Sequence, residues 1–457
     1  MIPELLLIVP VILLLLIYAC TGPKKETPVR KAPESFVNHP EWSRNATIYE
    51  VNIRQFTPEG TFDAFISHIP RLKKMNIDIL WLMPIHPIGE LNRKGTLGSY
   101  YSVKDYKGVN PEFGTLDDLK RLVKEAHGQG MKVILDWVAN HTAWDHAWVT
   151  DHPDWYTADS LGNMVSPYDW SDVVDLNFDN REVWDAMLDA LKYWVEEADI
   201  DGYRCDVAGL VPVEFWDMAR AELDRIKPVF MLAEAEEPEH HIRAFDMSYA
   251  WELHHLMNAI AKGEKNALDL ETYYLKEDTL FPRDAYRMLF TSNHDENSWN
   301  GTEFERMGEG SVCMAVLTAT LPGMPLVYNG QESAFNRRLE FFEKDSIDWK
   351  DYRLEPFYRQ LFALKHAYQP LWNGAWGGRL ERIPTNADTT VFAFIREKEG
   401  DRVFVVTNLS GNVKEAKLRG DRFKGTYKEW FTNEEATFNK NASIRLKPWE
   451  YKVYIRK

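Results

Sequence analysis

The chain has 457 residues, more than one average domain needs but enough for one large barrel with a small second module. Its net charge of −16 argues against nucleic acid or an anionic membrane surface as a partner, because both repel an acidic protein. The three cysteines, Cys20, Cys205 and Cys313, are too few for a disulfide framework or a thiolate metal site.

The N-terminus predicts export. Residues 5–19 are almost wholly apolar and are followed by Cys20, so residues 1–20 resemble a signal segment with a bacterial lipobox whose cysteine would carry a lipid. Residues 21–45, which begin rich in Pro, Lys and Glu, are expected to form a tether. We therefore expect a membrane-anchored lipoprotein in the periplasm or on the cell surface. An uncleaved membrane anchor and a misplaced start are the alternatives.

Strand-like and helix-like stretches alternate over residues 46–376, which predicts βα units around a parallel sheet. Eight strands with crossover helices make an α/β protein of the (β/α)8 TIM-barrel type, whose active site lies where the strands end. The predicted strands are Ile48–Phe56, Ile79–Pro84, Met131–Asp136, Gly202–Asp206, Val229–Glu234, Met247–Leu253, Arg287–Asn293 and Pro325–Glu332. The predicted helices are Phe62–Met75, Leu116–Gly130, Glu182–Ala198, Pro212–Arg225 and Ser311–Leu321.

Two regions depart from this alternation. Residues 142–176 form an aromatic-rich insertion after the third strand, and ordered insertions of this length are usually functional. A small packed subdomain with an aromatic core is the alternative, and the two interpretations are compatible. Over residues 377–457 the period becomes two, in Thr390–Ile395, Val403–Thr407 and Tyr451–Ile455, which predicts a C-terminal antiparallel β-sandwich. The sandwich contains no carboxylate cluster, so we interpret it as a stabilising module.

The central motif is the stretch Ile200–Ala208. If it is a strand, Arg204 and Asp206 point to the same face because they are two residues apart. A carboxylate beside a guanidinium is expected to keep a low pKa and stay ionised, as a nucleophile must. An ordinary buried ion pair is the alternative, but further carboxylates at the ends of other strands argue against it.

Polar side chains at the ends of these strands suit the hydrolysis of a glycosidic bond. Two carboxyl groups about 5–5.5 Å apart allow double displacement, in which one attacks the sugar and the other donates and later accepts a proton. Glu234 follows an apolar strand, so partial desolvation is expected to help it hold a proton. Asp295, His141 and His294 are expected to bind sugar hydroxyls and stabilise the transition state.

Six motifs in chain order resemble the α-amylase family, glycoside hydrolase family 13. They lie at Asp136–His141, Val174–Asn177, Gly202–Asp206, Glu234, Phe290–Asp295 and Gly323–Glu332. The resemblance covers residues 46 to 457 and implies an α-linked glucan as substrate, with retention of anomeric configuration.

The resemblance also implies residue roles. Asp206 would be the nucleophile, Glu234 the acid/base and Asp295 the stabiliser of the transition state. Side chains that would bind the sugar at the reacting position are Tyr101, His141, Arg204 and His294. The aromatic insertion would correspond to the family's domain B.

Two departures from the family bear on specificity and on calcium. Gly209 and Leu210 replace a Lys-His pair on the leaving-group side, and Ser99 replaces a His. The resemblance implies a Ca²⁺ site at Asn140 and Asp175, and oxygen ligands suit that ion. The acidic calcium loop of some relatives is missing early in the chain, so the sequence leaves Ca²⁺ open.

The sequence therefore predicts a retaining α-glucan hydrolase acting mainly on α-1,4 bonds in starch or maltodextrins. One alternative is a glucanotransferase or isomerase that uses the same residues. Another is a non-catalytic, membrane-anchored glycan-binding or partner subunit, against which the intact carboxylates argue. Linkage, endo or exo action and oligomeric state are not specified by the sequence.

Overall fold

The structure is a computed structural model that describes residues 32–440 and 442–456. The predicted signal segment and lipobox, with Cys20, lie outside the described residues, as does the start of the predicted tether. Within the described part, no helix is both long and apolar enough to span a membrane.

Eight parallel strands close into a barrel. Each strand pairs with its neighbour in chain order, and the last pairs with the first. The strands are β1 (Ile48–Val51), β2 (Ile79–Leu82), β3 (Lys132–Val138), β4 (Gly202–Asp206), β5 (Phe230–Ala233), β6 (Met247–Tyr249), β7 (Tyr286–Leu289) and β8 (Met324–Tyr328). The predicted TIM barrel is confirmed.

Both faces of the strands are buried, which explains their nearly continuous apolar sequences. In β2, Ile79 and Trp81 belong to the core inside the barrel, whereas Leu80 and Leu82 belong to the core between the barrel and its helices. This alternation follows the period of two residues in a strand.

The helices cover the outside of the barrel. The connection from β5 to β6 contains only a short 3₁₀ turn, Pro238–His241. The α-helices are α1 (Ile53–Phe56), α2 (Phe62–Ile66), α3 (Ile69–Lys74), α4 (Leu116–Gly128), α5 (Ala147–Asp151), α6 (Arg181–Ala198), α7 (Val213–Leu223), α8 (Trp251–Ala261), α9 (Ala267–Leu280), α10 (Glu303–Met307), α11 (Ser311–Thr320) and α12 (Glu355–Ala367).

Some predicted boundaries were wrong. The first strand ends at Val51 and gives way to α1, in which the buried Arg54 turns back to donate to the carbonyls of Leu97 and Gly98. The sixth strand ends at Tyr249, because helix α8 already begins two residues later. The single helix predicted over Phe62–Met75 is two helices, and a proline lies in the first turn of the second.

The insertion after β3 is short and packed. Strands His141–Ala143 and Val173–Asp175 pair antiparallel at its base, and helix α5 lies between them. Trp155 and Tyr156 are buried in the main core, so the aromatic residues of the insertion are partly structural.

The C-terminal module is antiparallel, as predicted. Its strands are β9 (Leu380–Arg382), β10 (Val391–Lys398), β11 (Asp401–Asn408), β12 (Lys414–Lys417), β13 (Gly425–Glu429), β14 (Glu435–Phe438), β15 (Ser443–Leu446) and β16 (Tyr451–Arg456). The larger sheet has the order β9–β10–β11–β16–β13–β14, and β12 pairs with β15. In β10, Phe392 and Phe394 pack into the main core, whereas Ala393 and Ile395 pack into the module's own core.

Residues 36–45, predicted as the end of the tether, pack against the barrel instead. The amide of Phe36 donates to the carbonyl of Ile242. His39 is buried and contacts Asp246 at 2.9 Å and Asp284 at 3.5 Å. The predicted tether extends too far along the chain, because the segment from Val37 on contains side chains, such as His39 and Ser43, that are buried against the barrel.

We expect the stability of the folded protein to depend on pH through the buried His39. Burial lowers the pKa of His39, but its contacts with Asp246 and Asp284 outweigh burial and raise the pKa above its usual value. Its contribution to stability is therefore complete below about pH 6.5 and is lost as the pH rises through the higher folded-state pKa. His39→Gln should lower the free energy of unfolding by about 1–3 kcal/mol at pH 6 and by less at pH 8.5.

Urea unfolding at the two pH values measures this difference. His255→Gln, which changes an exposed histidine, is the control and should leave stability unchanged at both. An equal loss in His39→Gln at pH 6 and pH 8.5 would contradict the assigned charge of His39.

Candidate active site

A cavity of about 510 Å³ lies at the C-terminal ends of the barrel strands. Its volume is in the range of pockets that bury a small ligand, about 300–1,000 Å³. Its lining residues are Lys94, Ser99, Tyr101, His141, Asp169, Trp170, Asp172, Val173, Asp206, Val207, Glu234, His294, Asp295, Trp299, Phe341 and Phe342.

One buried guanidinium organises the floor of this cavity. Arg204 Nη1 donates to Asp206 Oδ1 at 2.9 Å and to Asp136 Oδ1 at 2.8 Å, and Nη2 lies 2.8 Å from Glu234 Oε2. Arg204 and Asp206 point to the same face of β4, as the spacing of two predicted. Their shared partner holds the Asp206 and Glu234 carboxylates close together.

A second chain of hydrogen bonds runs beside the first. His294 Nδ1 lies 2.5 Å from Glu50 Oε1, and Nε2 lies 2.8 Å from the Tyr101 hydroxyl and 3.3 Å from Asp295 Oδ2. The Tyr101 hydroxyl donates to Asp136 Oδ2 at 3.0 Å. Both chains therefore meet at Asp136.

The cavity contains more carboxylates than cations. Burial lowers the pKa of His294, but Asp295 and Glu50 outweigh it and raise the pKa to about 9, so the imidazole is a cation at neutral pH. Burial raises the pKa of Glu50 and Asp136, and partial desolvation in the cavity raises the pKa of Asp295. A site with this balance readily retains a proton, as a general acid requires.

The low pKa predicted for Asp206 was wrong. Burial raises its pKa well above the ordinary value, and the neighbouring charges of Glu234 and Asp136 raise it further, although Arg204 lowers it. The prediction assumed that Arg204 pairs with Asp206 alone, whereas the guanidinium is shared by Asp206, Asp136 and Glu234.

Val207, which follows Asp206, has a strained backbone. Its φ is +37° and its ψ is +46°, a left-handed conformation that β-branched residues avoid. In this conformation its amide donates to Glu234 Oε2 at 2.9 Å. The strain therefore places one more hydrogen-bond donor on the second carboxylate, as strained backbone at functional sites often does.

Comparison with known proteins decides the family. A model described as "Alpha amylase, catalytic domain" matches residues 32–355, and one described as "Alpha-amylase SusG C-terminal domain" matches residues 391–451. The chain belongs to the α-amylase family.

Individual relatives agree with this family. The chain is 29% identical over 389 residues to alpha-amylase MalA of Haloarcula japonica, covering 81% of this chain and 56% of that protein. It is 27% identical over 443 residues to alpha-amylase 3 of Dictyoglomus thermophilum, covering 81% and 85%. The crystal structure of an alpha-amylase from Lactobacillus plantarum has a TM-score of 0.82 at 30% identity, covering 91% of this chain and all of that one. The chain thus spans little more than half the length of the haloarchaeal relative.

Four of the six family motifs contribute side chains to this cavity. Tyr101, His141, Asp206, Glu234, His294 and Asp295 line the cavity, and Arg204 lies buried beneath it. Burial lowers the pKa of His141 to about 4, so its imidazole is neutral, in contrast to His294. Ser99, which replaces the family's histidine, accepts a hydrogen bond from the Tyr101 amide at 3.1 Å and so supports that ring.

The two proposed calcium ligands lie outside this cavity. The Asn140 amide donates to Asp175 Oδ1 at 3.2 Å, and both residues line a second cavity together with Leu210. In the described part of the chain, no group of three or more His, Cys, Asp or Glu side chains is arranged to hold a metal ion.

Several residues of the site were not among the predicted site residues. Asp136 was predicted to end the third strand and to begin a family motif, but no role was assigned to it. Glu50 lies within an apolar strand, so neither its position nor its neighbours indicated a role. Lys94, Asp172 and Phe341 come from loops, and Trp299 comes from the short π-helix Glu296–Asn300 after β7; the arrangement of these segments depends on the folded chain. No local pattern in the sequence pairs these residues.

Proposed function

We propose that this protein is a retaining glycoside hydrolase that cleaves α-1,4-glucosidic bonds in starch or maltodextrins by double displacement. The observation that carries the proposal is the binding of Asp206 and Glu234 to the two terminal nitrogens of Arg204 at the floor of one cavity. Carboxylates held this closely suit the short spacing, about 5–5.5 Å, of retaining enzymes.

In the first step the ionised form of Asp206, whose charge Arg204 stabilises, attacks the anomeric carbon, and Glu234 donates a proton to the leaving oxygen. The contacts of Glu234 with Arg204 and Val207 both use Oε2, which leaves Oε1 to carry that proton. In the second step Glu234 takes a proton from water, and this water displaces Asp206 from the sugar. The configuration at the anomeric carbon is thereby retained.

The remaining side chains position the sugar ring and balance its charge. Asp295 is 35% exposed, so it is accessible to sugar hydroxyls and to the positive charge that develops at the transition state. The Tyr101 ring offers an apolar face for stacking. His294 as a cation and His141 as a neutral ring would donate hydrogen bonds to hydroxyl groups.

Transfer to a sugar hydroxyl instead of water is the second candidate. A relative of Picrophilus torridus, 27% identical over 412 residues, is named alpha-1,4-glucan:maltose-1-phosphate maltosyltransferase. Both reactions share the first step and differ in the acceptor of the glycosyl group.

Product analysis separates these reactions. We expect the protein to release reducing sugar from maltoheptaose and soluble starch in proportion to the bonds broken. Longer oligosaccharides without net reducing sugar would assign transfer instead. Binding of glucan without any product would favour the non-catalytic interpretation and contradict both enzymatic ones.

A structural Ca²⁺ ion is a separate proposal. Asn140 and Asp175 would each offer a side-chain oxygen, once the Asn140 amide turns its oxygen toward the ion, and backbone carbonyls would complete the set. The ion would hold the insertion against β3 and would take part in no catalytic step. Ca²⁺ should then raise the melting temperature over that in EDTA, and Asp175→Asn should remove the difference. A melting temperature indifferent to Ca²⁺ would contradict the site.

Membrane anchoring through Cys20 is likewise a proposal, supported by the apolar residues 5–19 that precede it. The full chain, expressed in a bacterium that processes lipoproteins, should partition with membranes and incorporate labelled fatty acid. Cys20→Ser should lose the label. A label retained in Cys20→Ser, or absent from the native chain, would contradict the lipobox.

A further inference from the structure

An ion pair bridges two loops at the edge of the catalytic cavity. Lys94, in the loop after β2, lies with its Nζ 2.8 Å from Asp172 Oδ1 in the insertion after β3. Asp172 is nearly buried, whereas Lys94 is 36% exposed, and both line the cavity. We call this ion pair the clasp.

The loop that carries the clasp is also fixed to a third loop, which follows β8. The Leu97 amide donates to the Phe342 carbonyl at 3.0 Å, and the Thr96 amide donates to Glu343 Oε1 at 2.9 Å. Gly95 has a φ of +62°, and a Cβ on it would lie 2.5 Å from that of Phe342, so the two loops are in direct contact. The loop after β2, the insertion after β3 and the loop after β8 therefore form one continuous side of the cavity, which we call the wall. The clasp is one part of it.

Aromatic rings extend this wall toward β7. Phe341, after β8, packs against Trp299, after β7, with ring centroids 5.3 Å apart. Phe341 also stacks against Tyr101 at 6.3 Å and 11°. The wall thus runs without a break from the β7 loop past Tyr101 to the insertion after β3.

The position of the wall relative to Glu234 indicates which end of the substrate the wall faces. The wall covers the arc from β7 through β8, β1 and β2 to β3, whose midpoint is β1. In a barrel of eight strands, β1 lies opposite β5, the strand that Glu234 follows. The proposed acid protonates the leaving group, so the leaving group lies toward β5 and the wall faces the opposite, non-reducing end of the chain.

We propose that the wall, closed by the Lys94–Asp172 clasp, blocks the cavity beyond the non-reducing end of the substrate and makes the enzyme act on chain ends. This inference rests on the proposed hydrolytic function and specifies its substrate as the free non-reducing end of an α-glucan. A chain must place that end against the wall to react, so products are short and of one predominant length.

A substrate with a blocked non-reducing end tests whether the wall limits access to the cavity. An aryl maltoheptaoside with a free non-reducing end is compared with the same compound carrying a 4,6-O-benzylidene group on that end. We expect native kcat/KM to be at least about tenfold higher for the free compound. Lys94→Ala opens the wall and should lower this ratio about tenfold, and Asp172→Asn should act in the same direction.

Lys104→Ala is the matched control. Lys104 belongs to the same loop, is also 36% exposed and joins the loop to Asp145 of the insertion at 3.1 Å, but it does not line the catalytic cavity. Its removal should leave the ratio unchanged.

The outcomes separate the inference from the proposed function. Equal cleavage of free and capped substrates by the native enzyme would contradict the proposed blocking role of the wall, but it would not contradict the proposed hydrolytic function. A ratio unchanged in a folded Lys94→Ala variant would overturn the role of the clasp. No cleavage of either compound would contradict the proposed function itself.

Discussion

Asp206→Asn is expected to lower kcat by about 10⁴-fold or more, with little effect on the melting temperature. The amide keeps the shape of the side chain and its contact with Arg204, but it cannot attack the anomeric carbon. Steady-state rates on maltoheptaose measure the loss.

Asp169→Asn is the control for this variant, because it neutralises another carboxylate that lines the same cavity at an exposed position. It should retain most of the activity. A kcat within tenfold of native in Asp206→Asn would contradict the assignment of the nucleophile.

Glu234→Gln is expected to lower kcat on maltoheptaose by about 10²- to 10⁴-fold, because the amide neither donates nor accepts the proton. A maltosyl fluoride should behave differently, since fluoride leaves without protonation. We expect a burst of about one fluoride per active site, followed by slow turnover that azide accelerates. Azide needs no general base to attack the glycosyl-enzyme.

Asp206→Asn should give no burst, because no glycosyl-enzyme forms. Glu237→Gln, which changes a carboxylate three residues further along the chain and outside the cavity, should turn over maltoheptaose like the native enzyme. A Glu234→Gln variant equally slow on both substrates would argue against the acid/base role.

Much of this site could be predicted because, in a barrel of parallel strands, a residue's position along its strand determines at which end of the barrel it lies. Asp206 ends β4 and Glu234 directly follows β5, and parallel strands bring such residues to one end of the barrel. The period of two correctly placed Arg204 on the same face as Asp206. These inferences need only local patterns.

What the sequence did not reveal depends on contacts between distant loops. Lys94 and Asp172 are 78 residues apart, and no spacing rule pairs them. The raised pKa of Asp206 depends on Glu234 and Asp136, which share its cation. Arg54, just beyond the early end of β1, donates to carbonyl groups in the loop after β2, and no local pattern indicates this contact.

The anomeric configuration of the fresh product tests the central claim most directly. Proton NMR, recorded within the first minutes of maltoheptaose hydrolysis, distinguishes the α anomer from the β anomer before the two equilibrate. Double displacement through Asp206 predicts that the new reducing end appears first as the α anomer. Initial release of the β anomer would require a single displacement by water and would contradict the role of Asp206 as a nucleophile.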